Sequence, residues 1–294
     1  MASILAVGIA TLDIINIVAH YPNEDSEVRT AMQRQQRGGN ATNTLAVLSQ
    51  LSHQCHWAGV LVDTPSHALI QQDLADYQIN TSACWRQQQG SMPTSYITLV
   101  QSSGSRTIVH HRDCPEYDFA HFRQLDLTQY HWIHFEGRHI PEAYKMLAYV
   151  KQHHPTIQCS LEVEKNREGI ERLFSYADIL FFSANYVSQQ QTTISSFLQH
   201  INECYAIPAT CTHGAQGAWA SDKLGHIHHV SPPDLSHPVV DSIGAGDTFN
   251  AAMIDRLIQG DSMATALSRA SQLATQKCQQ YGFQQLLTPG RVND

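Results

Sequence analysis

Apolar runs rich in β-branched residues alternate along the chain with segments of helical periodicity. The apolar runs predict buried strands at 4–9, 14–18, 57–62, 131–135, 157–162, 178–183 and 208–212. Apolar residues spaced by three and four predict helices at 39–51, 68–77, 141–153, 190–202, 246–259 and 262–279. This alternation indicates an α/β fold, in which helices flank a doubly wound and mostly parallel sheet.

A second set of strand-like segments carries many polar residues and lacks helical partners. These segments lie at 13–19, 28–36, 94–101 and 106–111. Their polar character separates them from the central sheet. No repeat, low-complexity tract or Pro/Gly-rich linker divides the chain, so the sequence predicts one domain over residues 1–294.

Composition and charge narrow the classes of function. The 294 residues are 42% hydrophobic, which is enough for a full core, and the net charge is −8 with only 18 Lys and Arg. Because no basic run appears, nucleic-acid binding is not expected. No apolar run approaches the roughly 20 residues of a membrane span, so no membrane association is expected either. The first residues lead directly into a strand-like segment rather than a signal peptide, so the cytoplasm is the default compartment.

Cysteine and histidine give no clear metal site. The seven cysteines are scattered, odd in number and never in a C-x-x-C pair, which favours reduced thiols over disulfides or zinc. Among the 18 histidines, His226, His228 and His229 could form a metal site on one strand. Histidines at solvent-facing positions are the simpler interpretation, and we predict no protein-bound metal here.

The strongest motif spans residues 241–250, which read DSIGAGDTFN. Gly244 and Gly246 form a turn that opens a helix, where free N–H groups and the helix dipole favour a phosphate. A carboxylate at Asp247 would repel phosphate, so a role in binding phosphate alone does not explain it. Its place is explained if it takes a proton from a hydroxyl that attacks the phosphoryl group. The sequence lacks the lysine of a P-loop and the small third residue of a dinucleotide fingerprint. A plain helix cap at Asp247 remains the alternative.

A second candidate site begins at a double glycine, in the sequence RGGNATN of residues 37–43. Asn40 and Asn43 are three apart on the first turn of a helix, so both amides can face a polyhydroxylated ligand. Asp13 follows the first strand, at the end where open α/β sheets bind ligands. Taken singly, Asn40 is better interpreted as an N-cap and Asp13 as a turn residue, and only their combination with the second motif favours a ligand site.

Together the two glycine motifs resemble the signatures of the PfkB (ribokinase-like) family of carbohydrate kinases. The family's C-terminal signature is usually Asp-Thr-x-Gly-Ala-Gly-Asp, and Ser242 replaces its threonine here. Further segments resemble the ketohexokinase branch of that family; they lie at 21–29, 104–108, 132–138 and 162–165. They occur in the same order as in that branch, and the resemblance extends over nearly the whole chain. The resemblance implies a ribokinase-like fold whose small β-sheet lid comprises about 13–37 and 92–112.

The same resemblance implies roles on the sugar side. Asp13, Gly39, Asn40 and Asn43 would hold the sugar hydroxyls, Asp247 would activate the attacking hydroxyl, and the amides of Gly244, Ala245 and Gly246 would stabilise the γ-phosphate. In ketohexokinase-like homodimers the two lids clasp, and the acidic residue equivalent to Asp25 enters the neighbouring site. Without that resemblance, Asp25 reads as part of a solvated loop.

On the nucleotide side, the resemblance implies ATP contacts from Arg106, Gly214, Gly217 and Cys278. An exposed strand arginine is the alternative for Arg106. Many family members carry Asn-x-x-Glu linked to magnesium, whereas Asn185 is followed here by Ser188. Mg²⁺ would therefore be held largely by ATP and water. A monovalent cation such as K⁺ near Asp241 is implied by the family alone.

The expected reaction is ATP-dependent phosphorylation of a ketohexose, with D-fructose giving fructose 1-phosphate as first choice. A family kinase for ribose, a nucleoside or a 2-keto-3-deoxy sugar acid is the alternative, because one fold serves many substrates. A sugar acid would need cations near the sugar, which Arg29, Arg34 and Arg37 could supply. A non-catalytic sugar-binding protein is a further alternative, against which the intact Asp247 counts.

Overall fold

The structure is a computed structural model that describes residues 1–63, 68–102, 104–234 and 239–287. Its strands, in chain order, are β1 (Ser3–Val7), β2 (Thr11–Val18), β3 (Met32–Gly38), β4 (Gln54–Ala58), β5 (Val60–Val62), β6 (Trp85–Gln87), β7 (Thr94–Val100), β8 (Arg106–His111), β9 (Trp132–Glu136), β10 (Gln158–Val163), β11 (Ile179–Ser183), β12 (Ala209–Thr212), β13 (Ala218–Ser221) and β14 (Ile227–Val230). Its α-helices are α1 (Asn40–Gln50), α2 (Ala68–Asp76), α3 (Phe119–Phe122), α4 (Ile140–His153), α5 (Ala184–Ser188), α6 (Ile194–Tyr205), α7 (Ala245–Ile258) and α8 (Met263–Lys277).

Eight strands form the central sheet in the order β14-β13-β12-β11-β10-β9-β1-β4. The six strands from β12 to β4 are parallel, and β13 and β14 add an antiparallel edge. The parallel strands are buried almost throughout, because helices cover such a sheet on both faces. Trp57, Phe135 and Phe181 are among the largest side chains in the core.

A separate four-stranded sheet has the order β3-β2-β7-β8 and carries the polar strand-like segments of the sequence. On one face Ile15, Ile17 and Ile97 are buried together, with Ile243 packed against them. On the other face Tyr96 is 51% exposed and its cross-strand partner Val109 is 65% exposed. This sheet therefore contacts the DSIGAGD motif on one side and presents apolar side chains to solvent on the other.

Two helices that carry the glycine motifs pack against each other. Helix α1 begins after Gly39, whose φ of 105° and close approach to the Ile9 carbonyl leave no room for a side chain. Helix α7 begins after Gly244, at a φ of 81°. The contact between α1 and α7 brings the N-terminal turns of both helices to one place, although they are about two hundred residues apart.

Several sequence expectations need correction at the level of elements. The predicted strand 57–62 is two strands, because β4 pairs with β1 in the central sheet while β5 pairs with β6 in a small separate sheet. Helix α6 begins at Ile194, four residues later than predicted, because Thr193 caps it by accepting a hydrogen bond from the Ser196 amide. The edge strands β13 and β14 had no counterpart among the predicted strands. Within the described ranges, no helix has the length and apolar character needed to cross a bilayer.

Candidate active site

A cavity of about 460 Å³ lies at the carboxyl ends of the parallel strands. Its lining includes the ends of β9, β10 and β12, the start of α1, the inner face of the four-stranded sheet and the DSIGAGD motif. This is the edge at which open α/β sheets bind ligands. Of the residues predicted on the sugar side, it brings together Asp13, Gly39, Asn40, Asn43 and Asp247.

Asp247 lies in the first turn of α7 and is only 6% exposed. Its Oδ2 accepts a hydrogen bond of 2.7 Å from Asn43 Nδ2. The pKa of Asp247 is raised to about 7, mainly by burial and also by the negative charges of Glu164 and Glu136, whereas the Asn43 hydrogen bond and the charge of Arg37 oppose that shift. No side-chain cap is formed at α7, so a capping role does not account for Asp247.

Asn40 does not cap helix α1. Gly39 occupies the N-cap position, and no side chain satisfies the first amides of the helix. The Asn40 amide instead donates to Glu162 Oε1 at 3.1 Å and to Glu164 Oε2 at 3.2 Å. Its side chain thus belongs to the wall of the cavity, and the N-cap alternative for this residue is wrong.

Asp13 and Asp25 end up in different surroundings. Asp13 lies inside β2 rather than at the end of the first strand, and its Oδ1 accepts a hydrogen bond of 2.7 Å from Thr11 Oγ1. Burial raises the pKa of Asp13, while the hydrogen bonds from Thr11 and Ser95 oppose that shift. Asp25 is exposed in the loop between β2 and β3, at a φ of 55°. A single chain therefore does not bring it to the cavity.

Three glutamates complete the acidic wall and were not among the predicted site residues. Glu136 ends β9, and Glu162 and Glu164 lie at the end of the neighbouring strand β10. Burial raises the pKa of Glu162 well above its ordinary value, as do the charges of Asp247 and Glu136. Glu162 Oε2 is buried without a hydrogen-bond partner among the described residues. Acidic residues at the ends of adjacent predicted strands are the signal that could have found them.

A second cavity of about 770 Å³ adjoins the first. All four residues predicted to contact ATP line it: Arg106, Gly214, Gly217 and Cys278. Gly217 has a φ of 94° and lies too close to the Val230 carbonyl for any side chain. Four residues line both cavities, namely Arg106, Thr212, Ser242 and Gly246. The two cavities therefore meet at the start of α7, directly beside Asp247.

The amides at this junction suit an anion. The first N–H groups of a helix lack intrahelical acceptors. Gly246 is exposed there, and a Cβ added to it would meet no heavy atom of the described residues within 4 Å, so the space beside its amide is open. The positive end of the α7 dipole adds to the attraction for a phosphate. Arg106 supplies a guanidinium to both cavities.

The surroundings fit one of the two expected cations. Mg²⁺ prefers oxygen ligands and keeps several waters, so the carboxylates of Glu162 and Glu164 fit it. Asp241 already faces Lys277 Nζ at 3.4 Å and Arg34 Nη2 at 3.8 Å, and Lys277 also donates to the Asp241 carbonyl at 3.0 Å. An added monovalent cation does not fit there. His226 and His228 pair with Asp222, and the described residues contain no group of three or more suited to a metal.

Known structures with this architecture are ribokinase-fold kinases. The ribokinase of Arabidopsis thaliana, solved with ribose and ATP, superimposes with a TM-score of 0.79 at 19% identity over 96% of this chain and 94% of that one. The ribokinase of Giardia lamblia superimposes with a TM-score of 0.81 at 13% identity, covering 96% of each chain. The fold is therefore the ribokinase-like α/β fold.

Sequence comparison defines the family. Residues 1–289 match the pfkB family of carbohydrate kinases, and the chain belongs to that family. The ketohexokinase of Mus musculus is 37% identical in an alignment that covers 95% of this chain and 97% of that protein. A fructosamine kinase of Bacillus subtilis is 24% identical over 87% of this chain and 89% of its own length. This protein is an ATP-dependent carbohydrate kinase.

Proposed function

We propose that the protein transfers the γ-phosphoryl group of ATP to the C1 hydroxyl of a ketohexose, with D-fructose as the preferred substrate. The observation that carries the proposal is the place of Asp247 in the smaller cavity, directly after Gly246, which lines both cavities. Its carboxylate lies beside the helix start that suits phosphate and inside the polar cavity that suits a sugar. The similarity to mouse ketohexokinase supports the choice of a ketohexose.

In the proposed reaction, Asp247 accepts the proton of the attacking sugar hydroxyl. A pKa near 7 suits a base that works at neutral pH, because the group is then ionised yet still basic. The amides of Gly244, Ala245 and Gly246 stabilise the charge that spreads over the transferring phosphoryl oxygens. Arg106, which extends from the four-stranded sheet, also stabilises that charge.

The sugar is held by side chains that can both donate and accept. Asp13, Asn40 and the backbone at Gly39 line the cavity and offer groups to the hydroxyls. Asn43 contacts the sugar from the same helix face, in addition to its bond with Asp247. The buried position of Asp13, 7% exposed, makes an unpaired hydroxyl beside it costly and so favours a matching substrate.

On the nucleotide side, Gly214 and Gly217 allow the backbone to approach the nucleotide, and Cys278 lines the adenine end of the larger cavity. Bound Mg²⁺, held by Glu162 and Glu164 through water, would neutralise phosphate charge. The proposed division leaves the sugar to the smaller cavity and the nucleotide to the larger one.

A sugar-acid substrate is less well supported than a neutral sugar. Arg37 donates to Asp73, Thr42 and Asn43, and Arg34 lies against Asp241 and the Tyr281 ring. Two of the three arginines expected to meet a substrate carboxylate are thus engaged elsewhere. Ribose remains the alternative, supported by the ribokinase fold alone, and fructosamine is worth testing beside it.

We further propose that residues 1–294 act as one kinase domain in the cytoplasm and that two copies clasp through the four-stranded sheet as a lid of about 13–37 and 92–112. The exposed apolar pair Tyr96 and Val109 on the outer face supports a second copy as partner. Clasping would also bring Asp25 towards the neighbouring cavity. Closure of the lid would exclude water, which otherwise competes with the sugar for the phosphoryl group.

A substrate panel tests this function. Purified protein is incubated with MgATP and D-fructose, D-ribose, fructosamine, a 2-keto-3-deoxy sugar acid or a nucleoside, and products are read by mass spectrometry. We expect the highest kcat/KM for D-fructose. Preference for another member of the panel would replace the substrate, and ATP binding without any phosphorylated product would support a non-catalytic protein.

A further inference from the structure

We propose that Arg37 is a positioning residue that fixes the orientation of the Asn43 amide and thereby keeps Asp247 ready to accept a proton. The inference rests on the proposed function, in which Asp247 is the base. Arg37 does not contact the sugar or ATP in this account. It acts on the reacting carboxylate through one intervening side chain.

Arg37 is buried at the end of strand β3, where it is 3% exposed. Its Nη1 donates to Asn43 Oδ1 at 2.7 Å and to Thr42 Oγ1 at 2.9 Å, and its Nε donates to the Asp73 carboxylate. Asn43 in turn donates from Nδ2 to Asp247 Oδ2 at 2.7 Å. The chain of contacts Asp73–Arg37–Asn43–Asp247 thus links strand β3 with helices α1, α2 and α7.

The orientation of the Asn43 amide follows from which hydrogen bonds its two neighbours can donate or accept. A guanidinium has only donors, so the atom of Asn43 that faces it must be the carbonyl oxygen. The amide nitrogen is then forced to face Asp247, where it donates to one carboxylate oxygen. The second oxygen, Oδ1, is left for the substrate hydroxyl. An isolated amide has no such preference, because its two ends are almost equal in shape.

Loss of Arg37 would free the Asn43 amide to rotate by half a turn. When Asp247 is protonated, the rotated carbonyl oxygen of Asn43 can accept a hydrogen bond from it, so the loss of Arg37 stabilises the protonated form. A protonated Asp247 cannot act as base. The surrounding charges push the same way, because Glu136 and Glu164 raise the pKa of Asp247 while Arg37 lowers it.

The test compares Arg37→Met with Thr42→Val. Both variants remove a hydrogen bond from the same buried cluster, but only Arg37→Met breaks the contact with Asn43. For Arg37→Met we expect kcat at pH 7 to fall by about 10- to 100-fold, with the KM for ATP changed by no more than about twofold. The rising limb of its pH–kcat profile should move to higher pH. Thr42→Val should keep kcat within about threefold of the wild type and leave that limb in place.

A second variant keeps the test decisive if Arg37→Met does not fold. Asn43→Asp retains an acceptor for Arg37 but has no hydrogen to donate to Asp247, so it should also lower kcat and move the limb to higher pH. Normal kcat and an unshifted limb in folded Arg37→Met, or in Asn43→Asp, would overturn the positioning role. Normal turnover in Asp247→Asn would instead overturn the proposed function itself, so the two failures are distinguishable.

Discussion

The two cavities that meet beside Asp247 are lined by different chemical groups. The larger cavity, of about 770 Å³, is shaped by glycines, small side chains and backbone, as at Gly214, Gly217 and Gly246. The smaller one, of about 460 Å³, is shaped by buried charged and amide side chains from many elements. Backbone groups suit phosphates, which every kinase of this type shares, whereas side chains suit a particular sugar.

This difference in lining predicts which substitutions each cavity tolerates. A substitution in the larger cavity acts through space and backbone shape, so its effect depends on whether a new Cβ fits. A substitution in the smaller cavity acts through charge and hydrogen bonding, so its effect depends on pH. The following experiments compare the two kinds of response.

The largest effect is expected from Asp247→Asn on the side-chain-built cavity. Asparagine keeps the shape but cannot accept the substrate proton, so kcat should fall by about 10² to 10⁴. ATP affinity should persist or increase, because a negative charge beside the phosphates is removed. Steady-state kinetics and ATP titration measure both quantities, and turnover close to that of the wild type would refute the role of base.

Gly246→Ala tests the backbone-built cavity. A Cβ at Gly246 meets no heavy atom of the described residues within 4 Å, so the variant should fold with an unchanged or slightly higher melting temperature. The methyl group would nevertheless occupy space beside the phosphate, and kcat/KM for ATP should fall by about 10- to 100-fold. Gly217→Ala is the contrasting variant, since its Cβ would overlap the Val230 carbonyl at a φ of 94° and should lower the melting temperature. Equal kinetics for Gly246→Ala and the wild type would show that no phosphate approaches this amide.

The pH dependence of turnover should carry the signature of the smaller cavity. Because the pKa of Asp247 is raised to about 7, kcat/KM for the sugar should rise with pH through that region and level off above it. Below the pKa, each pH unit should cost about tenfold, because only the ionised carboxylate accepts a proton. An activity that is flat between pH 5 and 8 would contradict this assignment.

Stability should show the opposite dependence on pH. The pKa of folded Asp247 lies above its ordinary value of 3.8, so the folded state holds a proton that the unfolded chain releases. Wild-type stability should therefore fall as pH rises from about 4 through 7, and Asp247→Asn should lack this part of the fall. Melting temperatures of the wild type and Asp247→Asn at pH 5 and pH 8 test this dependence. If the melting temperature of Asp247→Asn minus that of the wild type is no larger at pH 8 than at pH 5, the result would count against the raised pKa.

The smallest effect is expected from the lid. Light scattering at micromolar concentration should give a dimer, and Asp25→Ala should raise the KM for the sugar by a few fold, roughly 1 kcal/mol, with the KM for ATP little changed. Glu24→Ala is the matched control, because Glu24 is exposed in the same loop. A fully active monomer would exclude the clasped lid, and equal effects of both substitutions would remove Asp25 from the site.

The sequence predicts the lining of the larger cavity better than that of the smaller one, because backbone turns are local in sequence whereas side-chain pairings are not. Glycine turns are local, so the motif around Gly246 is recognisable without knowing what packs against it, and the family resemblance supplied Gly214 and Gly217. Asn40 and Asp247 were also found, since each lies in a local helix-start pattern. Helix bounds agree with the structure to within a few residues, because an apolar stripe at a spacing of three and four is itself a local signal.

The remaining features depend on pairings that no local pattern specifies. The split of segment 57–62 between two sheets arises from the partners of β4 and β5. The bond from Asn43 to Asp247 spans 204 residues, and the Asn40 contact with Glu162 spans 122. Arg37 was expected only as a cation that could meet a sugar acid, because its burial arises from the packing of β3 against α2 and from its bonds to Thr42 and Asn43.

The most direct test of the account is the position of the phosphate in the product. Wild-type protein and Asp247→Asn are incubated side by side with D-fructose and MgATP, and the products are identified by two-dimensional phosphorus–proton NMR. We predict fructose 1-phosphate from the wild type, with coupling of phosphorus to the C1 protons, and little or no product from the variant. Phosphate on another carbon, or equal product from both proteins, would contradict the proposed chemistry.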